Sequence, residues 1–406
     1  MYYETFSLEN KLRIIHFSSP SPVSYCGFAV NAGTRDESCN QHGLAHFVEH
    51  LLFKGTKKRK AWHILNRMEN VGGELNAYTT KEDTFLYSIC LAEDIERAIE
   101  LLSDLIFHSC FPAQEIEKER EVIIDEINSY RDNPSELIFD EFEDMIFDGN
   151  EMGHNILGNE TSLSAFNSDS CREFTGRFYL PDNMIFFFYG KTPLKKIIHL
   201  AQKYFLPETN GVASLTRKTP DAVTPAKKIE DKKLHQSHVI TGSRGYSIFD
   251  KNRMGLYLLC NILGGPGMNS RLNVSLRERN GLVYSVESNL TSYTNTGVFS
   301  IYFGCDHDMR DKCLNLVHRE LKKMRDVKLS SSQLNASVKQ LKGQLGISSN
   351  NYENVALGMG KSFLHFNKYY TLPEVYREID ALTADQLWNI ANEIFDENQL
   401  FQLIYC

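Results

Sequence analysis

Two histidines four residues apart, with a glutamate just before the second, make the segment His46-Phe-Val-Glu49-His50. It lies in 43–53, a stretch rich in helix formers. In a helix, residues at i and i+4 project from one face, one turn above the other, so both imidazoles can hold one tetrahedral metal ion. Glu49, three residues after His46, shares that face and can reach a metal-bound water without being a ligand. The pattern H-x-x-E-H reverses the H-E-x-x-H motif of zinc proteases. The plainer reading is a surface helix with two solvated histidines. Against it, the helix runs on into Leu51-Leu52-Phe53, so it is largely buried, and buried ionisable groups need partners. A zinc enzyme needs a third protein ligand and an open fourth position. Residues 115–131 supply carboxylates on a helix: Glu119 and Glu126 lie two turns apart on one face, beside an apolar stripe of Val122, Ile123 and Ile127. Composition alone leaves Glu126, Glu119, Glu121 and Asp125 all open as that ligand.

These groups must be placed by a larger framework. Residues 83–90 read as a strand leading into an amphipathic helix over 93–107. Residues 297–303 and 306–321 repeat the arrangement. Aligning Phe85 with Phe299 gives an offset of 214, which carries Ile95, Ile99 and Leu102 onto Met309, Cys313 and Leu316. Each half ends in long helices, clearest over 115–131 and 332–346. Strand pairs followed by helices, without strict βα alternation, predict an α+β chain of two homologous domains, each a mostly antiparallel sheet packed with helices. The stretch 207–233, rich in Thr, Lys and Pro and poor in large apolar residues, reads as a linker. The expected division is 1–206, linker 207–233 and 234–406. The second half has no H-x-x-E-H, so one zinc per chain is expected. His235-x-x-His238 follows the linker and is not expected to bind metal.

Composition narrows the function classes. The 406 residues are 42% apolar and 24% charged, which is ordinary globular usage. Forty-four basic residues against fifty-two acidic ones give −8 with no long basic block, which argues against nucleic-acid or membrane-surface binding. The apolar runs at 184–189 and 254–260 are far shorter than the roughly 20 residues of a membrane helix. The first residues show neither a basic nor an apolar leader segment. Nine single cysteines without a C-x-x-C pair suggest a reduced, cytoplasmic protein.

The motifs resemble the pitrilysin/insulinase family of inverted zincins. The resemblance rests on His42-Gly-Leu-Ala-His-Phe-Val-Glu-His-Leu-Leu-Phe-Lys-Gly-Thr56, on Gly72-Gly-Glu-Leu-Asn-Ala-Tyr-Thr-Thr80 and on Glu119-Arg-Glu-Val-Ile-Ile-Asp-Glu126. It extends through the second half and is closest to the short two-domain bacterial members and the mitochondrial processing peptidase subunits. It implies that His46, His50 and Glu126 are the zinc ligands, that Glu49 is the general base, and that Glu119 orients the ligand set. Without it, Asn76-Ala-Tyr-Thr would read as an ordinary loop beside a strand. With it, Asn76 and Ala77 are expected to hold the peptide backbone.

In the second half, Leu263-Gly-Gly-Pro-Gly-Met-Asn-Ser-Arg-Leu272 reads as a turn or flexible lip, since no Lys-Ser/Thr follows to make a phosphate cradle. Downstream, an arginine and Tyr284 can donate hydrogen bonds to a peptide carbonyl and a developing oxyanion. The residues leave Arg277 and Arg279 open; the resemblance selects Arg277, seven before Tyr284. The expected protein is a zinc endopeptidase that cleaves short, extended or unfolded peptides in an enclosed chamber. Family members enclose the chamber with four domains, so a two-domain chain calls for a homodimer, with Arg277 and Tyr284 acting across it. The alternatives are a processing peptidase subunit that needs a different partner, as a heterodimer, and a non-catalytic assembly subunit.

Overall fold

A computed structural model describes residues 3–205, 213 and 215–406. The first sheet contains β1 (Tyr3–Ser7), β2 (Arg13–Ser18), β3 (Val23–Val30), β4 (Glu74–Thr79), β5 (Thr84–Leu91) and β6 (Met184–Gly190), in the order β1-β2-β6-β3-β5-β4. The second contains β7 (Lys227–Glu230), β8 (Ser237–Gly245), β9 (Val283–Ser292), β10 (Gly297–Cys305) and β11 (Phe401–Tyr405), in the order β7-β11-β8-β10-β9. In the first sheet only β2 and β6 are parallel, and in the second only β7 and β11. Without β1 the two sheets have the same succession. The offset of 214 holds at the level of single partners: Ala29 faces Phe85 on β3 and β5, and Ser243 faces Phe299 on β8 and β10. The chain is therefore α+β with two homologous sheets.

The helical spans follow the sequence pattern with small shifts. Ile95–His108, Ala113–Arg131 and Ser331–Ser348 lie where helices were expected, and Arg310–Asp326 starts after a short 3-10 turn at His307–Met309. Asn76 and Ala77 lie within β4 itself rather than in a loop. The alternation there is muted because β4 is an edge strand, paired only to β5. The expected lip at 263–272 begins as the end of helix Arg253–Gly264 and becomes a turn only after Gly265.

The compact units are not the two contiguous segments expected. One comprises Met1–Asn128, Asn155–Arg217 and Ser349–Tyr370; the other comprises Ser129–His154, Lys218–Ser348 and Thr371–Cys406. The reason is burial. Each sheet has two apolar faces, and each half of the sequence supplies the helix that covers one face of the other half's sheet. Helix Tyr352–Phe366 lays Ala356, Met359, Phe363 and Leu364 on Phe85, Phe187 and Tyr189 of the first sheet. Each large apolar side chain buried there contributes about 1.5–3 kcal/mol. The approach is close: a Cβ at Gly360 would stand 2.9 Å from Phe187. Helix Pro134–Ile146 covers the second sheet in the same way, with Ile138, Phe142 and Ile146 against Ile240, Leu403 and Tyr405.

The linker expectation also needs correction. Residues 207–212 and 214 lie outside the described residues. Lys227–Glu230, however, forms β7, and Arg217 is anchored to the first unit through both oxygens of buried Asp36, at 2.9 and 2.8 Å. Among the described residues, no helix is long and apolar enough to cross a membrane.

Candidate metal centre

The H-x-x-E-H segment forms helix Leu44–Leu52. Gly43 starts it at φ +95°, where a Cβ would also meet the Leu157 carbonyl oxygen at 2.6 Å, so glycine is required on two counts. Buried Glu37 accepts hydrogen bonds from the backbone N–H groups of Gly43 (2.9 Å) and Ala45 (2.7 Å), satisfying donors that a helix start leaves unpaired. Burial pushes the Glu37 carboxyl well above its usual range, and the two amides work against that. Leu44, Ala45, Phe47, Val48, Leu51 and Leu52 are all buried and hold the helix in place; His50 alone is partly exposed.

Helix Ala113–Arg131 brings the carboxylates. Its buried stripe is Ile116, Glu119, Ile123 and Ile127, at the i, i+3, i+4 spacing of one face. Val122, expected in that stripe, is instead half exposed, because it falls about 100° around the helix from Ile123. Of the carboxylates on this helix, Glu126 is the one grouped with both histidines as a possible metal donor. His46 Nε2 and His50 Nε2 stand 3.9 and 3.7 Å from Glu126 Oε2. Among the described residues, His46, His50 and Glu126 form the one group of three or more His, Cys, Asp or Glu donors that could hold an ion, all within 4.8 Å of one another. Four-coordinate zinc with ~2.0–2.1 Å bonds would place its ligand atoms about 3.4 Å apart, so this donor set closes on such an ion with small movements. Glu121 and Asp125 take no part and are exposed.

The protonation state of His46 suits a metal. Burial, with His50 adding to it, pulls the His46 pKa down to about 3, so the imidazole is neutral near pH 7. Its Nδ1 is buried and makes no hydrogen bond with a described residue. Burial also works against a charged His50, yet the hydrogen bond to Glu119 and the nearby carboxylates of Glu49 and Glu126 raise its pKa. That contact is 3.1 Å from His50 Nδ1 to Glu119 Oε2, which leaves Nε2 turned toward Glu126. Glu119 in turn receives Lys54 Nζ at 2.6 Å. Burial pushes its pKa upward, but His50 and Lys54 outweigh it and keep the carboxylate charged.

Glu49 is buried on the same helix face, and its pKa is raised, first by burial. Thr79 Oγ1 donates to Glu49 Oε2 at 2.6 Å and opposes that rise. Neither Thr79 nor Lys54 stood out in the sequence. Thr79 could have been found from strand alternation, since it shares a face of β4 with Ala77 while Tyr78 points the other way to stack on Phe85 at 4.8 Å. Lys54 lies four residues after His50, just past the end of the helix.

The remaining expected residues belong to two places. Asn76 and Ala77 lie on β4, with Asn76 Nδ2 3.5 Å from Glu74 Oε2 and Ala77 opposite Leu86. Arg277 and Tyr284 belong to the second compact unit. They are brought together, with the Arg277 guanidinium carbon 5.9 Å from the Tyr284 ring centroid. Tyr284 is 90% exposed, and Arg277 Nε is 3.8 Å from Glu278.

Comparison with known proteins agrees with this geometry. Residues 13–160 match the insulinase family (peptidase family M16), and residues 165–341 match the peptidase M16 inactive domain. The chain is 31% identical over 400 residues to YmxG of Bacillus subtilis, named as an uncharacterized zinc protease, covering 98% of this chain and 97% of that protein. It is also 31% identical over 402 residues to an uncharacterized zinc protease of Rickettsia bellii, covering 98% and 96%. A peptidase M16 inactive domain structure from Pseudomonas fluorescens superposes with a TM-score of 0.92 at 18% identity, covering 100% of this chain and 98% of that one. A protease from Helicobacter pylori gives 0.90 at 20% identity, covering 100% and 99%. By sequence match along nearly its whole length, the chain belongs to the insulinase family of peptidases, M16.

Proposed function

We propose that the protein is a zinc endopeptidase that hydrolyses short, extended or unfolded peptides in an enclosed chamber, with one zinc per chain. The observation that carries this reading is the convergence of His46, His50 and Glu126 with a buried glutamate, Glu49, on the same helix face. When bound, zinc would polarise the scissile carbonyl and acidify a water in the open fourth position. Glu49 would accept a proton from that water and pass it to the leaving amine, and the Thr79 hydroxyl fixes its carboxylate in position. Glu119 holds the His50 ring so that Nε2 faces Glu126, where it would be free to bind the ion.

The substrate side has support from topology. β4 is the outer strand of its sheet, so an extended peptide can add to its free edge, main chain to main chain, past Asn76 and Ala77. The exposed Arg277–Tyr284 pair offers donors for the carbonyl and the oxyanion, supplied across a cytoplasmic homodimer. The test is metal analysis of purified protein combined with mass spectrometry of digested peptides. Zinc near one per chain and internal cleavages abolished by chelation are expected. Full activity in metal-free protein would overturn the reading.

A further inference from the structure

The second unit holds a cleft of about 470 Å³ that plays no part in the chemistry above. Its walls carry four cations, Arg271, Arg279, Lys323 and Lys328, against a single carboxylate, Glu320. This stands out in a chain whose net charge is −8. Two of the cations are already engaged: Lys323 bonds Glu320 at 2.7 Å, and Lys328 pairs with Asp385. The other two are not. No hydrogen bond or ion pair within 4 Å joins the guanidinium of Arg271 or Arg279 to a described residue. Arg271 is also largely withdrawn from water, so that burial disfavours its charge and Glu320 only partly compensates. A desolvated guanidinium with its N–H fork unused is suited to a carboxylate or phosphate.

The charges come from successive elements: the turn after Gly265, the end of the helical turn Asn273–Glu278, helix Arg310–Asp326 and the segment that follows it. They line an open groove rather than a closed cradle, and the volume is in the range of ligand sites. Two unengaged guanidinium groups from separate elements along an open groove suit carboxylates carried on an extended chain. We propose that this groove is a subsite for the acidic side chains of a bound peptide, engaged through Arg271 and Arg279. The inference rests on the peptidase reading and narrows its substrates to peptides with an acidic segment.

The test uses the full chain in chelator, so that nothing is cleaved. Fluorescence anisotropy compares a labelled peptide containing several glutamates with its glutamine counterpart at low salt. The glutamate peptide should bind about tenfold tighter, the scale of a charge-assisted hydrogen bond, and the preference should shrink as salt screens it. The double variant Arg271→Gln/Arg279→Gln should lose the preference while binding the glutamine peptide as before. If the double variant does not fold, the exposed Arg279→Gln alone should lose part of it. Equal binding of both peptides by the wild type, or an undiminished preference in a folded variant, would overturn the proposal. So would tight binding of inorganic pyrophosphate without discrimination between the peptides. Because binding is read without catalysis, loss of the preference beside intact cleavage removes only the groove. A retained preference in a protein without zinc or cleavage removes only the peptidase.

Discussion

Glu119 allows a quantitative test of how the metal centre is held. His50 Nδ1 has one partner, Glu119 Oε2 at 3.1 Å, while His46 Nδ1 has none among the described residues. Support for the ligand rings therefore rests on one carboxylate, itself charged and held by Lys54. A hydrogen bond to a charged group contributes about 1.5–3 kcal/mol, and at 1.4 kcal/mol per decade its loss should weaken zinc binding about 10- to 150-fold. That overlaps the usual 10–100-fold effect of groups that orient metal ligands. Glu119→Ala should fall in this range. Glu119→Gln keeps an acceptor of the same shape but loses the charge, which roughly halves the energy and predicts about 3- to 12-fold. The assay is competition for zinc against a chromophoric chelator at neutral pH, with circular dichroism to confirm folding. Affinity in Glu119→Ala within about threefold of wild type would refute the argument. So would a glutamine variant weaker than the alanine one.

Glu49→Gln should retain zinc and lose turnover by at least about two orders of magnitude, the scale of general base catalysis; near-normal turnover would assign the base elsewhere. Asp83, fully buried, is bonded to His365 Nε2 at 2.7 Å and Lys361 Nζ at 3.0 Å, and although burial opposes its charge these partners hold its pKa below the ordinary value. A depressed folded pKa means stability that is present above about pH 4, the unfolded carboxylate value, and lost as pH falls below it. Asp83→Asn should therefore cost about 2 kcal/mol at pH 7, and the gap in melting temperature to wild type should close on acidification; a gap that widens toward low pH would contradict this. Mixing the inactive variants Glu49→Gln and Tyr284→Phe under subunit exchange should restore about a quarter of wild-type sites if Arg277 and Tyr284 act across a dimer. Verified exchange with no recovery would place them in the same chain as their zinc.

The sequence carried the metal helix in full because its information is local. Four-residue spacing puts His46 and His50 on one face whatever surrounds them, and the apolar residues between and after them bury the other face. The distal carboxylate was less legible. Glu119, Glu121, Asp125 and Glu126 occupy one helix, and only the direction in which that helix packs decides that Glu126 meets the histidines while Glu119 reaches behind His50. Thr79 was hidden for the same reason, since its bond to Glu49 spans thirty residues. The exchange of covering helices left no local trace at all. Tyr352–Phe366 is amphipathic by pattern, but nothing in that pattern states which of two similar sheets it will cover.

Among the described residues, the second half holds no group of metal donors comparable to His46, His50 and Glu126. Counted at the offset of 214, the positions of His46, Glu49 and His50 fall on Cys260, Leu263 and Gly264, and those of Glu119 and Glu126 on Gln333 and Gln340, so none of these positions carries a His or a carboxylate. Restoring a ligand there would take more than a change of side chain. A Cβ at Gly264 would lie 2.8 Å from the backbone nitrogen of Ser288 on β9, so a larger residue there requires the backbone to shift. Leu263 and Cys260 are buried in the second core, whereas His46 is one of three donors that could hold an ion and Glu49 lies on the same helix face. The facing helix has lost both carboxylates as well, and Gln333 lines the cleft that Arg271 and Arg279 make basic. One sheet and one set of connections thus support two opposite electrostatic environments. In the first copy, Glu49, Glu119 and Glu126 gather around His46 and His50. In the second, Arg271, Arg279, Lys323 and Lys328 line a cleft with Glu320 as its one carboxylate.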